Sequence, residues 1–248
     1  MNLRVWCQTD VGLRRENNQD FVLYDESLRV YVVADGMGGH RGGEVASRMA
    51  AETSIEVARK ALTESGSRRL HPRMLMTQIY EEASKRIYDS SQEPSTDLAG
   101  MGTTLVVAFL LDKTLYIGNV GDSRAYLFSD QKLWQITEDH SLLNEQLRAG
   151  LIQEKDIVRF TGKNVITRSV GFEREVQVDV IERELRSGEM VLMCSDGLSG
   201  LVSDERIAEI CRTQKPQDIV SICVNEAKKN GGDDNVSVML LYAEPQSN

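Results

Sequence analysis

The sequence lacks the features that mark secretion, membrane insertion or a disulfide framework. Its few cysteines are widely spaced and form no C-x-x-C pair, so neither a zinc site nor a set of disulfides is favoured. No run approaches the about 18 apolar residues of a membrane span. The N-terminal segment also has no apolar stretch typical of a signal peptide. We therefore expect reduced thiols, no membrane association and a cytoplasmic location.

Proline is scarce as well, and acidic residues outnumber basic ones. The 248 residues include four prolines and contain no internal repeat or low-complexity tract that could serve as a linker. We expect residues 1–248 to form a single domain. The 38 acidic residues outnumber the 29 basic ones, which gives a net charge of −9. This balance argues against a nucleic-acid partner and favours the binding of cations.

Short apolar runs rich in β-branched and aromatic residues follow one another along the chain. They are FVLYD, RVYVVAD, GTTLVVAFLL, TLYIGNVGD, RAYLF, KLWQIT, VQVDVIEREL, EMVLMCSDG and NVSVMLLYA. Several are separated by only two or three residues, so neighbouring strands must form antiparallel hairpins. Helical patterns between these blocks cover 43–64, 73–91, 142–149, 204–211 and 216–230. This order predicts an α+β fold with helices packed on antiparallel sheets. The polar segment 140–168 predicts a surface flap.

Aspartates stand at the ends of several predicted strands. The positions are Asp20, Asp35, Asp122, Asp196 and the pair Asp233-Asp234. Taken singly, an aspartate at a strand end is more commonly a turn former or a helix cap than a ligand. Taken together, converging carboxylates in a partly desolvated pocket repel one another unless a cation is present. An oxygen-only set without a Cys or His cluster is typical of a hard divalent ion, Mg²⁺ or Mn²⁺.

Glycines crowd the segment ADGMGGHRGG that follows the strand ending in Asp35. Gly36 permits a close approach of the backbone, at which its carbonyl can act as a further oxygen ligand. A phosphate-binding loop is the alternative explanation. The spacing, however, matches neither G-x-G-x-x-G in register nor G-x-x-x-x-G-K-[ST].

Eight segments carry a more specific signal. They are TDVGLRRENNQD, VVADGMGGHRGGEVAS, GMGTTLVV, YIGNVGDSRAYL, ITEDHSLL, NVITRSVG, LMCSDGL and GGDDNVSVMLL. In this order they resemble the metal-dependent serine/threonine protein phosphatases of the PPM, or type-2C, family, especially its bacterial branch. The resemblance implies a four-layer α-β-β-α sandwich with two central antiparallel sheets. It also implies an enzyme that hydrolyses phosphoserine and phosphothreonine in proteins and opposes a serine/threonine kinase. We expect it to be a monomer.

The resemblance assigns metal ligands. It implies that Asp35 bridges two Mn²⁺ or Mg²⁺ ions, that Gly36 supplies its carbonyl, and that Asp196 and Asp234 complete the first site. Asp122, together with Asp196, corresponds to the acids that hold a third and weaker ion in bacterial relatives.

It also assigns catalytic residues. Asp20 corresponds to a carboxylate that orients a water molecule, and Arg15 to the arginine that binds the substrate phosphate. Animal members of the family have a histidine just after Asp-Gly, where this chain has Met37. His40 is therefore a candidate for proton transfer, with packing or capping at the helix start as the alternative.

Two other functions remain open at this point. A metal-dependent hydrolase of small phosphate esters would need the same site chemistry, and a non-catalytic regulatory module would need only the fold. The complete set of aspartates favours an active enzyme, because a degenerate member is expected to lose a bridging carboxylate.

Overall fold

The computed structural model describes residues 1–38, 42–65, 70–94, 97–162 and 165–245. Within these ranges the strands are β1 (Leu3–Asp10), β2 (Asp20–Asp25), β3 (Val30–Met37), β4 (Gly102–Thr103), β5 (Leu105–Leu111), β6 (Thr114–Val120), β7 (Arg124–Ser129), β8 (Lys132–Gln135), β9 (Asp179–Glu184), β10 (Met190–Cys194) and β11 (Val236–Ala243). The helices are α1 (Gly42–Ser65), α2 (Pro72–Ser91), α3 (Leu142–Arg148), α4 (Asp196–Ser199), α5 (Asp204–Thr213) and α6 (Pro216–Lys229), with a 3-10 helix at Glu154–Arg159. None of the helices in the described ranges is long and apolar enough to cross a membrane.

The strands form two antiparallel sheets. Sheet A has the order β1-β11-β10-β7-β8, and sheet B has the order β2-β3-β5-β6-β9, with β4 paired to the end of β3. All of these pairings are antiparallel. The predicted α+β class with two antiparallel sheets flanked by helices is therefore confirmed.

Three apolar clusters join the four layers. One packs α1 and α2 on the outer face of sheet B, a second packs α5 and α6 on the outer face of sheet A, and a third lies between the sheets. Successive side chains of a strand point to opposite faces. Val32 accordingly belongs to the helix-facing cluster and Val33 to the cluster between the sheets. A strand covered on both faces must be apolar throughout, as VYVVA is.

Strand β1 was not among the predicted strands. It forms one edge of sheet A, beside β11. Its sequence LRVWCQTD contains no fully buried residue and mixes polar with apolar side chains. An edge strand is covered on fewer sides than a central one, so it lacks the continuous apolar run that identified the others.

The predicted flap, 140–168, contains α3 and the 3-10 helix. Its two ends are joined by a bridge between Ser141 and Ile166 and by a hydrogen bond from the Thr167 amide to the His140 carbonyl at 2.9 Å. The His140 ring is tied to the turn after β6, because its Nδ1 accepts a hydrogen bond from the Gly121 amide at 3.0 Å. The segment is thus anchored at its base, and its role as a flap remains a prediction.

Helix α2 packs so closely on strand β6 that Gly118 has no room for a side chain. A Cβ atom there would lie 2.6 Å from Tyr80 Cε2, and the buried Tyr80 hydroxyl donates to the Leu105 carbonyl at 2.9 Å. We expect Gly118→Ala to lower the free energy of unfolding by about 1–3 kcal/mol through overpacking. Urea unfolding monitored by circular dichroism measures this change.

A double-mutant cycle with Tyr80→Leu tests the cause. If the clash with the tyrosine ring is responsible, the double variant should lose less stability than the sum of the two single losses, by about 0.5–3 kcal/mol. Strictly additive losses would contradict this explanation.

Candidate active site

Strands β2 and β3 place two of the predicted acids opposite each other. Asp20 begins β2 and is the register partner of Asp35 in β3, so their Cβ atoms lie about 4.5–5.5 Å apart. The other three lie outside the strands. Asp122 lies between β6 and β7, Asp196 is the first residue of α4, and Asp234 precedes β11. We call these five residues the acid cluster.

The charges of the acid cluster act on one another. Burial of the Asp35 carboxyl raises its pKa well above the usual value, and the negative charges of Asp20, Asp196, Asp122 and Asp234 raise it further. The fold therefore brings all five predicted carboxylates into one electrostatic group around Asp35.

Asp35 lies inside β3 and not at its end, because β4 pairs with the two residues that follow it. Its amide donates to Thr104 Oγ1 at 3.0 Å, and its carbonyl accepts from the Thr104 amide at 2.8 Å and from Thr103 Oγ1 at 2.9 Å. These bonds hold the backbone of Asp35 rigid. The role of the two threonines was not recognised in the sequence, where they read only as part of an apolar strand.

Gly36 lies against the start of α1. Its amide donates to the Gln19 carbonyl at 3.1 Å, and a Cβ atom at Gly36 would collide with the carbonyl oxygen of Gly43. The requirement for glycine thus has a packing cause, in addition to the close backbone approach that the sequence indicated. Any side chain here would push α1 away from the strand that carries Asp35.

Asp20 is a buried carboxylate with one bonded and one unbonded oxygen. Ser195 Oγ donates to Asp20 Oδ2 at 2.7 Å and itself accepts from the Ser237 amide at 3.0 Å. Asp20 Oδ1 is buried and has no hydrogen-bond partner among the described residues. Burial raises the pKa of Asp20 to about 6, against the opposing effect of the hydrogen bonds from Ser195 and Ser237.

Asp122 shows the same combination. It is buried, and its Oδ1 has no hydrogen-bond partner in the described part of the chain. Burial raises its pKa to about 7, and the charges of Asp196 and Asp139 contribute in the same direction. The preceding Gly121, with φ +104°, is the residue held by His140, so the base of the predicted flap also fixes the turn that presents Asp122.

Asp196 begins α4, which lies directly beside the residues that precede β11. A Cβ atom on the next residue, Gly197, would collide with the Asn235 carbonyl, so the two segments are in close contact. Burial raises the pKa of Asp196, and the charge of Asp234 raises it further, while Arg15 acts in the opposite direction.

Arg15 binds a member of the acid cluster in this structure. Its Nη2 lies 2.8 Å from Asp234 Oδ2, and its side chain is 51% exposed. The neighbouring Arg14 makes a longer contact of 3.7 Å, from its Nε to Asp233 Oδ1. The predicted phosphate-binding arginine and a predicted metal ligand are therefore direct partners, which the sequence did not indicate.

Asn235 is a further positioning residue that sequence reasoning missed. Its Oδ1 accepts from the Gln19 amide at 2.8 Å, and its Nδ2 donates to the carbonyls of Val11 and Asn17 at 2.9 and 3.0 Å. These bonds clamp the loop between β1 and β2, which carries Arg15, onto the start of β11. Its position next to Asp234 was the only signal in the sequence.

Two predicted positions remain, Met37 and His40. Met37 is half-buried at the end of β3 and lines a cavity. His40 lies outside the described residues, so its predicted proton-transfer role remains a prediction.

The described residues contain no group of three or more His, Cys, Asp or Glu side chains that is already arranged to hold a metal ion. The predicted ligands share a site electrostatically, and one of them, Asp234, is paired with Arg15. A cation would have to compete with that guanidinium.

The chain is similar to known proteins over most of its length. The family model described as Protein phosphatase 2C matches residues 13–221. The serine/threonine phosphatase stp of Listeria monocytogenes is 35% identical over 238 residues, which cover 94% of this chain and 93% of that protein.

Solved structures give the same result. The serine/threonine phosphatase PstP/Ppp of Mycobacterium tuberculosis matches with a TM-score of 0.85 and 32% identity, over 98% of this chain and 99% of that one. The catalytic domain of PstP in complex with two manganese ions matches with a TM-score of 0.86 and 32% identity, over the same shares. Since the family model covers most of the chain and the likeness to relatives runs almost from end to end, this chain belongs to the protein phosphatase 2C family.

Proposed function

We propose that this chain hydrolyses phosphoserine and phosphothreonine in proteins and that Mn²⁺ or Mg²⁺ bound at the acid cluster supports the reaction. The convergence of four carboxylates on Asp35 carries the proposal. The substrate class is supported by the Listeria relative, which is named a serine/threonine phosphatase. Metal dependence is supported by the PstP catalytic domain, whose structure is a complex with two manganese ions.

The acid cluster suits a hard divalent cation. Asp20 Oδ1 and Asp122 Oδ1 are buried without a hydrogen-bond partner in the described residues, an arrangement that is costly unless a cation or an ordered water is present. All side-chain atoms of the cluster that could coordinate a metal ion are carboxylate oxygens, the ligand type that Mg²⁺ and Mn²⁺ prefer.

In this proposal Asp35, the Gly36 carbonyl, Asp196 and Asp234 would hold the metal, with Asp35 as the shared ligand. Asp122 would share a third ion with Asp196. Divalent cations held there would lower the pKa of a water molecule, orient it and neutralise charge on the phosphoryl oxygens.

The chain's own groups position the reactants. Asp20 is fixed through Oδ2 by Ser195, which leaves Oδ1 to accept a hydrogen bond from the attacking water and orient it. Arg15 offers a planar fork that can bind two phosphoryl oxygens at once. To do so its guanidinium would have to leave Asp234 Oδ2, with which it is paired at 2.8 Å.

Proton delivery to the departing serine or threonine oxygen cannot come from Met37, whose thioether carries no proton. His40 is the remaining candidate that the sequence offers at this end of β3. Catalysis otherwise rests on in-line positioning and charge stabilisation.

The other expectations extend the proposal. We infer one phosphatase domain over residues 1–248 with a flap at 140–168, a monomeric state, a cytoplasmic location and an opposing serine/threonine kinase. The anchored base of segment 140–168 supports the flap assignment.

Chelation should abolish activity on a phosphothreonine peptide, and Mn²⁺ or Mg²⁺ should restore it. Asp35→Asn, Asp196→Asn and Asp234→Asn keep the side-chain shape but remove a ligand charge. Each should therefore lower kcat at limiting Mn²⁺ by at least about a hundredfold, beyond the loss typical of outer-shell partners. Asp233→Asn is the matched control, because Asp233 is exposed and its one salt bridge among the described residues is the long contact with Arg14. Normal turnover after exhaustive chelation would refute the metal assignment.

Arg15→Lys should reduce kcat/KM for the same peptide by roughly ten- to a hundredfold. A lysine supplies one point charge and cannot reproduce the bidentate fork, and a charge-assisted bond contributes about 1.5–3 kcal/mol. Arg14→Lys removes the neighbouring fork and should change kcat/KM by less than about threefold. Equal losses in the two variants would show that Arg15 has no specific role.

The stability of the metal-free protein should depend on pH. The pKa values of Asp20 and Asp122 are raised in the folded protein from 3.8 to about 6 and about 7. Folding therefore takes up protons, and the resulting stabilisation is full below pH 3.8 and is lost as the pH rises through 6 and 7. Carboxyls with a lowered pKa, such as that of Asp10, titrate below this window. We expect the Tm of EDTA-treated protein to fall between about pH 5 and about pH 7.5.

Two controls identify the source of this dependence. Asp122→Asn should reduce the fall in Tm, since it removes one of the titrating groups, whereas the exposed Asp233→Asn should not. Saturating Mn²⁺ should also reduce it, because a cation keeps the carboxylates ionised. An EDTA-treated Tm that is flat or rises over this range would contradict the assignment.

A further inference from the structure

A cavity of about 440 Å³ opens beside the acid cluster. Its lining includes Met37, Ile166, Phe172, Glu173, Glu175 and Val176. We call it the Met37 cavity. The reaction assigned above uses none of its side chains.

The Met37 cavity and the acid cluster share strand β3. Asp35 and Met37 are two residues apart in β3, so their side chains share one face and lie about 7 Å apart along the strand. The far wall is fixed to the same strand through β4, because the Thr103 amide donates to the Val170 carbonyl at 3.0 Å and the Val170 amide donates back at 2.8 Å. A peptide whose phosphate lies at the acid cluster therefore has a neighbouring residue at this cavity.

The lining combines an apolar surface with carboxylates. Met37 and Val176 are half-buried apolar side chains, and the ring of Phe172 is 67% exposed at the rim. Glu173 and Glu175 are exposed on the same segment. An exposed aromatic ring next to free carboxylates is the surface that a long cationic side chain recognises, since its methylene stem packs on apolar atoms and its charge meets the ring face and the acids.

The basic side chains near these glutamates are already engaged. Arg168, which also lines the cavity, donates to Asp179 Oδ1 at 3.0 Å and to the Gln177 carbonyl at 3.1 Å. Arg174 lies between the two glutamates in sequence, but its guanidinium binds Asp89 on α2 at 3.1 Å. The charge of Glu175 raises the pKa of Arg174, but by less than the contact with Asp89 does. Among the described residues, neither Glu173 nor Glu175 forms a salt bridge.

We propose that the Met37 cavity receives an arginine or lysine side chain of the phosphoprotein substrate, two or three residues from the phosphorylated serine or threonine. The spacing follows from the about 7 Å between Asp35 and Met37 along β3, since an extended peptide advances about 3.3 Å per residue. This inference rests on the proposed phosphatase function and adds the sequence preference of the substrate.

Peptide kinetics test the proposal. A set of phosphothreonine peptides carries Arg, Gln or Glu at the second or third residue on either side of the phosphothreonine, and kcat/KM is measured with Mn²⁺. At the position that reaches the cavity, the wild-type protein should prefer Arg over Gln by roughly tenfold, mainly through KM, because an exposed ion pair and a cation–π contact with Phe172 together contribute about this much. Glu173→Gln/Glu175→Gln should bring the Arg/Gln ratio close to one.

A matched variant controls for overall charge. Glu205→Gln/Asp218→Asn makes the same change in net charge at exposed positions on α5 and α6 and should keep the wild-type ratio. A wild-type ratio near one at every position would overturn the proposal, and so would an undiminished ratio in Glu173→Gln/Glu175→Gln. If that double variant does not fold, the two single glutamine variants are compared by the same ratio.

Different results would refute the proposed phosphatase function and the assignment of the Met37 cavity. A wild-type protein that hydrolyses neither p-nitrophenyl phosphate nor any phosphopeptide would refute the proposed function. A protein that hydrolyses all the peptides equally well would refute only the assignment of the Met37 cavity.

Discussion

The repulsion among five carboxylates is the constraint on which the rest of this structure depends. Burial and the neighbouring charges both raise the pKa of Asp35, so the fold keeps these groups together against an unfavourable electrostatic energy. Such an arrangement persists only where the surrounding backbone leaves the side chains no alternative position. The stability of the two sheets and their helices provides that rigidity.

Close backbone contacts transmit this rigidity to the site. Gly36 lies against Gly43, and Gly197 lies against Asn235, at separations that exclude a side chain. Asn235 adds three hydrogen bonds that fix the Arg15 loop to the start of β11. Segments from both sheets are thus held in register at one edge of the sandwich, where the acids meet.

Arg15 forms an ion pair with the acid cluster at this edge. Its guanidinium lies against Asp234 and partly offsets the repulsion within the cluster. Under the proposed function, this guanidinium would have to leave Asp234 in order to bind a phosphoryl group. The proposal therefore couples metal binding to substrate binding through one pair of residues, to which the resemblance to known phosphatases assigns separate roles.

The sequence by itself determined the fold class, most of the helices and strands, and the five acids. Its apolar periodicities reflect burial, and ordered motifs such as VVADGMGG mark the site segments. It missed β1, whose edge position leaves it without a continuous apolar run. Only the tertiary structure decided which groups face one another: the Arg15–Asp234 pair, the Asn235 clamp, and the Met37 cavity with Glu173 and Glu175 in its lining. Arg15 and Asp234 are 219 residues apart in the chain, and a contact over such a separation leaves no local pattern, because it is set by the packing of whole sheets and not by the propensity of either segment.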